Sequence, residues 1–581
     1  MPPAESVPKT SHRGLIRLLV AIVLGAILWS LAQTIAPWGG RNWAFVLAVG
    51  LIFILVLLLG WVLDAVIRRL FRFVRSVSRS MWKGFADDPE VLAITKRHPR
   101  LTGWLARRTT LSAWSGMYLT LIVITVLYFL SGFISIAQRA AAVNNATGYD
   151  TQLSGLLRSF RTPDVTRFLW LFTVLGDSRV AFALTAIVAL LLLLWGRRAD
   201  AILLAVAVAG GGLLGEVAKT IFQRARPETF FSLITEPAGF SFPSGHALYA
   251  ALFWGVLGFL LIRASKTELR KVTAFIVCAG MATMTALSRV YLGVHWTSDV
   301  MASWALALAC LSACIGAYLT FDRYGKPRAP RRVGQLAMRR VATVAAVFLC
   351  AGIVLLGTAA DPLLMKAAAL PPTVVWASSV DASGLPTPTA AQAQILPHAS
   401  QNLGGTAAEP IGLIFVGTQS QLTSAFSTAG WVAADPPNLL TTLHTIYAAF
   451  SNQPYPTAPV TPSFVTGQVN TIAFEKPAGT TIQRRHHSRW WLTDFTFGGR
   501  PVWVATASFD ISVGIGGAIP VPTHHIEANI DAEQSLIASD LAGSGVKTSS
   551  RVRVSPPASG TNTAGDTWFT EGLATVLVAQ P

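Results

Sequence analysis

Three short clusters combine residue types that can handle a phosphoryl group. The first is Lys219, six residues, then Arg226-Pro227; the second is Pro243-Ser244-Gly245-His246; the third is Ser288-Arg289, five residues, His295, three residues, Asp299. Lys219, Arg226 and Arg289 offer positive charge where the equatorial oxygens of a transferring phosphoryl group must be neutralised. The arginines add planar, paired hydrogen bonds. Pro243-Ser244-Gly245 stands just ahead of an apolar run, so free N–H groups at a helix start there can hold an anion, and Gly245 lets the backbone come close. His295 and Asp299 are four apart and meet on one face of a helical turn. A carboxylate on one ring nitrogen leaves the other unprotonated and nucleophilic. His246 is then available as general acid for a leaving alkoxide.

The elements that must position these residues are apolar. Hydrophobic residues make up 52% of the 581 and charged residues 13%, the latter about half the share usual for soluble domains. A bilayer core needs about 20 apolar residues per helix. Nine stretches qualify, near 15–36, 43–67, 111–137, 178–196, 200–218, 245–262, 271–289, 298–320 and 340–358. The first follows a basic start and lacks a clear small-residue cleavage site, so a retained helix is expected rather than a removed signal peptide.

Charge orients the chain. Residues 1–358 carry a net +22 and residues 359–581 a net −4. The basic residues cluster between 68 and 108, at Arg197-Arg198, from Arg263 to Lys271 and from Arg323 to Arg340. All four clusters fall on one side if the N-terminus is cytoplasmic, the positive-inside pattern of a membrane protein and not a nucleic-acid footprint. Nine crossings then put residues 359–581 outside the cytoplasm. The three chemical clusters sit at the outer ends of their helices, and ionisable groups gathered at membrane depth mark function.

The C-terminal part changes character. Residues 367–410, rich in Ala, Pro, Thr, Ser and Gln, read as a linker. From Ile411 the pattern is globular, with strands at Ile411–Val416, Val502–Asp510 and Ile511–Ile519 and helices at Gln421–Thr428 and Asp531–Leu541. The fold class expected is therefore an all-α polytopic membrane helix bundle followed by a soluble α+β domain. Its parts are 1–110, two helices and a basic loop; 111–325, a six-helix core; 326–366, the ninth helix; the linker 367–410; and the domain 411–581. All four cysteines lie before residue 359, so that domain can build neither a disulfide framework nor a thiolate zinc site. His486, His487, His524, His525 and Asp510 invite a zinc reading. Adjacent histidines in a strand face opposite ways, however, and structural hydrogen bonding or recognition of a polar ligand is the favoured expectation.

In order and spacing the three clusters resemble the signature of the type 2 phosphatidic acid phosphatase superfamily, which shares its fold with vanadium haloperoxidases. The resemblance spans roughly residues 111–320. It implies His295 as a nucleophile forming a phosphohistidine, Asp299 orienting it, and His246 protonating the leaving group. Lys219, Arg226, Ser244, Gly245 and Arg289 become the phosphate pocket. It further implies catalysis without metal or cofactor, on a lipid phosphate or diphosphate, by an enzyme of the inner (plasma) membrane with its active site extracytoplasmic. The alternatives are a vanadate-dependent haloperoxidase-like enzyme and a membrane protein that binds phospholipid phosphate without cleaving it. Residues 359–581 are similar to the LssY-type C-terminal domain, on Arg485-His486-His487-Ser488-Arg489-Trp490, Trp503-Val504-Ala505-Thr506-Ala507-Ser508 and His524-His525-Ile526 before Asp531. That domain is expected to be an autonomous extracytoplasmic module whose partner the sequence does not name.

Overall fold

The computed structural model describes residues 114–142, 148–227, 232–234, 239–324, 374–376, 384–437, 439–516, 521–562 and 565–580, with short stretches within 89–104, 343–352 and 379–381. The expected helices 15–36 and 43–67, the basic loop after them and most of 340–358 lie outside the described residues.

Eight helices form the N-terminal bundle: α1 Leu119–Ala142, α2 Gly148–Ser159, α3 Pro163–Leu175, α4 Ser178–Leu194, α5 Arg198–Phe222, α6 Gly245–Ala264, α7 Glu268–Tyr291 and α8 Thr297–Tyr324. Among the described residues, α1, α5, α6, α7 and α8 are long and apolar enough to cross a bilayer. The expected span 178–196 is shorter than a crossing by itself and counts as a sixth only together with α3, from which it bends by 56°. Local chemistry explains the bend. Thr162 caps α3 with Pro163 at its first position, and Asp177 restarts the chain by accepting from the N–H groups of Arg179 and Val180, the side-chain capping that satisfies free helix-start donors.

The bundle core closes where α5 and α6 meet. Gly211, Gly212 and Gly215 face Leu252, Tyr249 and Leu248, and a Cβ on any of the three would lie 2.5 Å from its partner. Glycine there admits the interhelical contact that orders Leu204, Val208, Leu252 and Val256 into one buried cluster. The outward faces stay apolar and exposed, as at Leu213, Ile221 and Leu190, as a surface turned to lipid requires. At one end of the bundle Arg263 pairs with Asp322 at 2.7 Å and Tyr318 donates to Asp200. The residues of the three clusters gather at the other end.

The C-terminal part is rich in sheet. Its nine main strands are β1 Val374–Trp376, β2 Leu413–Val416, β3 Val432–Ala433, β4 Ile472–Pro477, β5 Arg485–Phe497, β6 Arg500–Gly516, β7 Val521–Ile526, β8 Val546–Arg553 and β9 Leu573–Ala579. They run in the order β8-β9-β2-β6-β5-β4-β3, with β1 beside β5 and β7 beside β6. Helices α9 Gln419–Thr428 and α11 Ile530–Leu541 cover one face of this sheet over Phe415, Phe474, Trp490 and Trp503, and α10 spans Leu439–Ser451. Two expectations change. Val502–Asp510 and Ile511–Ile519 are not two strands, because β6 runs unbroken to Gly516 and absorbs the irregularity as a register shift against β7 between Asp510 and Ser512. Part of 367–410 is also folded structure. β1 pairs in parallel with β5, Trp376 is buried, and strands Ala399–Gln401 and Ala407–Pro410 pair with each other.

Candidate active site

The turn from α7 to α8 carries the first reactive pair. Asp299 sits in the first turn of α8 and accepts from the Trp296 N–H at 2.9 Å, a helix-start bond of the capping-box kind. The same carboxylate accepts from Ser241 Oγ, and its other oxygen from Arg224 Nη1 at 2.7 Å. His295 Nδ1 lies 3.5 Å from Asp299 Oδ2 and 3.4 Å from Ser241 Oγ. With Nδ1–H turned to these acceptors, the lone pair is on Nε2, where Arg226 Nη1 approaches to 3.2 Å. Burial, and then the charges of Arg226, Arg289 and Lys219, hold the His295 imidazole well below its ordinary pKa. The ring is therefore a neutral base at pH 7.

The cations come from three further elements. Gln223 ends α5 in the left-handed region, at φ 44°, and turns the chain so that Arg226 donates to the carbonyls of Val294 at 2.8 Å and Gly239 at 3.2 Å. Arg289, near the end of α7, is buried and donates through Nη1 to Thr173 Oγ1 at 2.7 Å. Lys219 reaches Gly245, whose Cβ would stand 3.4 Å from Nζ, and pairs with Glu216 at 2.8 Å. His246, in the first turn of α6, faces the charges of Arg289, Lys219 and Arg226 as well as His295. Gly176, at the α3–α4 bend, presses on it so closely that a Cβ would lie 3.0 Å from His246 Cβ.

All eight residues singled out in the sequence, His295, His246, Asp299, Lys219, Arg226, Ser244, Gly245 and Arg289, therefore meet at one end of the bundle. Ser244 holds the N-cap position of α6 yet makes no side-chain cap bond. Its Oγ and the Nε of Arg289 are buried without a hydrogen-bond partner among the described residues. Buried donors left unmade are costly, and an anion seated between these cations supplies what they lack. A neutral imidazole opposite such a pocket can attack phosphorus. The sequence reading missed Arg224, Ser241, Thr173 and Asp150. Arg224 and Ser241 each stand two residues before a signature residue; Thr173 and Asp150 carry no local signal.

Two family models match this chain, the PAP2 superfamily over residues 200–323 and the LssY C-terminus over residues 393–573. The chain carries a PAP2 superfamily domain followed by an LssY C-terminal domain. Similar to the PAP2 part are phosphatidylglycerophosphatase B of Bacillus subtilis, 28% identical over 177 residues (30% of this chain, 86% of that protein), and the undecaprenyl-diphosphatase of Sulfolobus acidocaldarius, 29% identical over 185 residues (31% and 84%). Its relatives are thus phosphatases of the PAP2 family. Among solved structures, a transmembrane PAP2-type phosphatidylglycerolphosphate phosphatase from Bacillus subtilis aligns with a TM-score of 0.31 at 25% identity, covering 35% of this chain and 99% of that one. Aquifex aeolicus LpxE aligns with a TM-score of 0.23 at 23% identity, covering 29% and 94%.

In the LssY domain the histidines diverge. His486 meets Glu533 of α11 at 2.9 Å on one face of β5. On the other face, His487 lies 3.1 Å from Asp510 and 2.8 Å from Ser508 Oγ. His525 meets Asp566 at 2.8 Å. His486 and His525 thus each hydrogen-bond to a carboxylate and His487 to Ser508 Oγ, while the side chain of His524 lies outside the described ones.

Proposed function

We propose that this protein is an integral-membrane lipid phosphatase that removes phosphate from a lipid phosphomonoester or diphosphate through a phosphohistidine. The observation that carries the reading is the meeting of a carboxylate-backed neutral His295 with Lys219, Arg226, Arg289 and an uncommitted Ser244 hydroxyl in one pocket. His295 Nε2 attacks phosphorus, the bond from phosphorus to the lipid oxygen breaks, and His246, protonated once the negative charge of the bound phosphate offsets the cations around it, gives that oxygen its proton. His246 then takes a proton from water, the hydroxide attacks phosphorus, the N–P bond breaks, and phosphate leaves with His295 neutral again. Positive charge on three sides stabilises both transfers. Exposed apolar side chains beside Lys219, such as Val217 and Ile221, give a lipid tail a place to lie while its headgroup enters.

Undecaprenyl diphosphate and phosphatidylglycerol phosphate are the first substrates to try, since the relatives' names state them, with phosphatidic acid and lipid A phosphates beside them. Phosphate release across this panel in detergent, with and without EDTA, tests the reading. Release in EDTA supports it; no release from any lipid, or halide oxidation in added vanadate, overturns it. The site is proposed to be extracytoplasmic. In a cysteine-free background, Ser159→Cys at the site end of the bundle should react with an impermeant thiol reagent in intact cells and Lys266→Cys at the basic end should not. The opposite result inverts the orientation.

A further inference from the structure

Helix α2 lies between the two domains, with a different partner on each side. On its inner side Asp150, fully buried, accepts from Arg224 Nη2, from the Ser298 N–H and from Ser298 Oγ, each at 2.7 Å. Arg224 carries the same bridge onward, since its Nη1 donates at 2.7 Å to Asp299, the carboxylate behind His295. On its outer side α2 meets the LssY domain. Gln152, also fully buried, donates to Gln401, and Arg158 reaches the Gly467 carbonyl at 3.4 Å. A Cβ on Gly155 would lie 1.7 Å from that carbonyl oxygen, so only glycine allows the two surfaces to touch.

The touching element is built for close approach. Thr466 and Gly467 both have positive φ, 47° and 74°, and join the paired strands Phe464–Val465 and Gln468–Val469, as the two-residue turn of a tight hairpin requires. The hairpin is fixed to the domain's interior. Buried Trp491 donates to the Gln468 carbonyl at 3.1 Å, and Ser463 Oγ to the Gln401 carbonyl at 3.1 Å. The contact therefore moves with the domain and not with a loose loop.

We propose that α2 transmits the seating of the LssY domain to the active site: the hairpin holds α2, α2 holds Asp150 against Arg224 and Ser298, and Arg224 holds Asp299 behind His295. Asp150 and Arg224 are positioning residues, and the partner of the LssY domain is the PAP2 domain of its own chain. This rests on the phosphatase reading. Asp150 neutralises one face of Arg224 and fixes its plane, so Asp299 keeps an oxygen for His295. Without Asp150, Arg224 keeps its Nη1 bonds to Ser298 Oγ and Asp299 but loses the anchor on Nη2, so the guanidinium plane shifts and Asp299 shifts with it. The phosphate pocket, built by other residues, stays intact.

The test uses the full-length protein in detergent, with a lipid phosphate as substrate and orthovanadate as inhibitor. Asp150→Asn should lower kcat by about 30-fold or more while KM and the vanadate inhibition constant change less than about threefold; a lost fold would move all three. Gly155→Leu leaves the buried bridge untouched and favours the helix, so it separates domain seating from bridge chemistry. It should abolish bifunctional-maleimide cross-linking between Arg158→Cys and Gln468→Cys and lower kcat by about tenfold at unchanged vanadate inhibition. Unchanged kcat in Asp150→Asn, or lost cross-linking with unchanged kcat in Gly155→Leu, overturns the proposal. A wild type that releases no phosphate overturns the phosphatase reading itself.

Discussion

The protein buries charge twice, once at the end of the helix bundle and once inside the sheet domain, and the two sites are arranged in opposite ways. In the sheet domain Arg485 bridges Glu475 at 2.6 Å and Asp510 at 2.9 Å, Arg489 meets Glu409 at 2.8 Å, and Ser508 links Glu409 with His487. Burial pushes Glu475 up to about 8 against the pull of Arg485, with Asp510 adding to the push. At neutral pH Glu475 is then protonated, Arg489 pulls Glu409 below its ordinary value against burial, and each guanidinium has a carboxylate partner. In the bundle, by contrast, Lys219, Arg226 and Arg289 gather round His295, whose ring is held neutral by burial and by their charges. A charge-matched network holds a fold in register, whereas a cation-rich one is matched by an anionic substrate.

That contrast can be broken by substitutions on either side. Arg289→Lys should cut kcat/KM for a lipid phosphate by about 100-fold, the scale of losing one oriented donor to a charged transition state, with the bundle's thermal stability little changed. Arg485→Met should do the reverse, removing about 3–5 kcal/mol from the sheet domain by stranding buried carboxylates while vanadate still inhibits. Near-equal stability losses from the two would show that both networks are structural.

Acid should separate the two sites as well. Because His295 is held well below its ordinary value, kcat/KM, which reports the free enzyme, should not fall as pH drops through about 6.5, the usual histidine value. An acid limb at or above that pH would mean the ring is not held neutral by its cations. In the sheet domain Glu475 is raised, so folding takes up a proton between the ordinary carboxylate range and about 8. Stability from that group is complete below the window and is lost as pH rises through it. Glu475→Gln should flatten this slope in urea or thermal unfolding and leave phosphate release within about twofold.

The sequence made legible what depends on local spacing and failed where contacts are distant. The expected helices 245–262 and 298–320 became Gly245–Ala264 and Thr297–Tyr324, because an apolar run long enough for a bilayer has few other structures open to it. The eight signature residues could be named because spacing places them at helix ends. Asp150 could not. It reaches Arg224 and Ser298 across 74 and 148 residues, and a lone carboxylate in a short amphipathic stretch has no pattern that announces a tertiary partner. Helices α2 and α3 were hidden in the same way, as short elements in a loop between two long apolar runs. Val374–Trp376 was lost in a linker-like composition because three residues carry no period, and its pairing with β5 spans over a hundred residues.

Passage of phosphorus through His295 can be caught within a single turnover. It is tested most directly by mixing the full-length protein with a lipid phosphate carrying labelled phosphorus and quenching within the first turnover. Label is expected on the wild-type protein, stable to alkali and lost in acid as a phosphohistidine is, with neither label nor phosphate release from His295→Ala. Phosphate release by His295→Ala at the wild-type rate would contradict it.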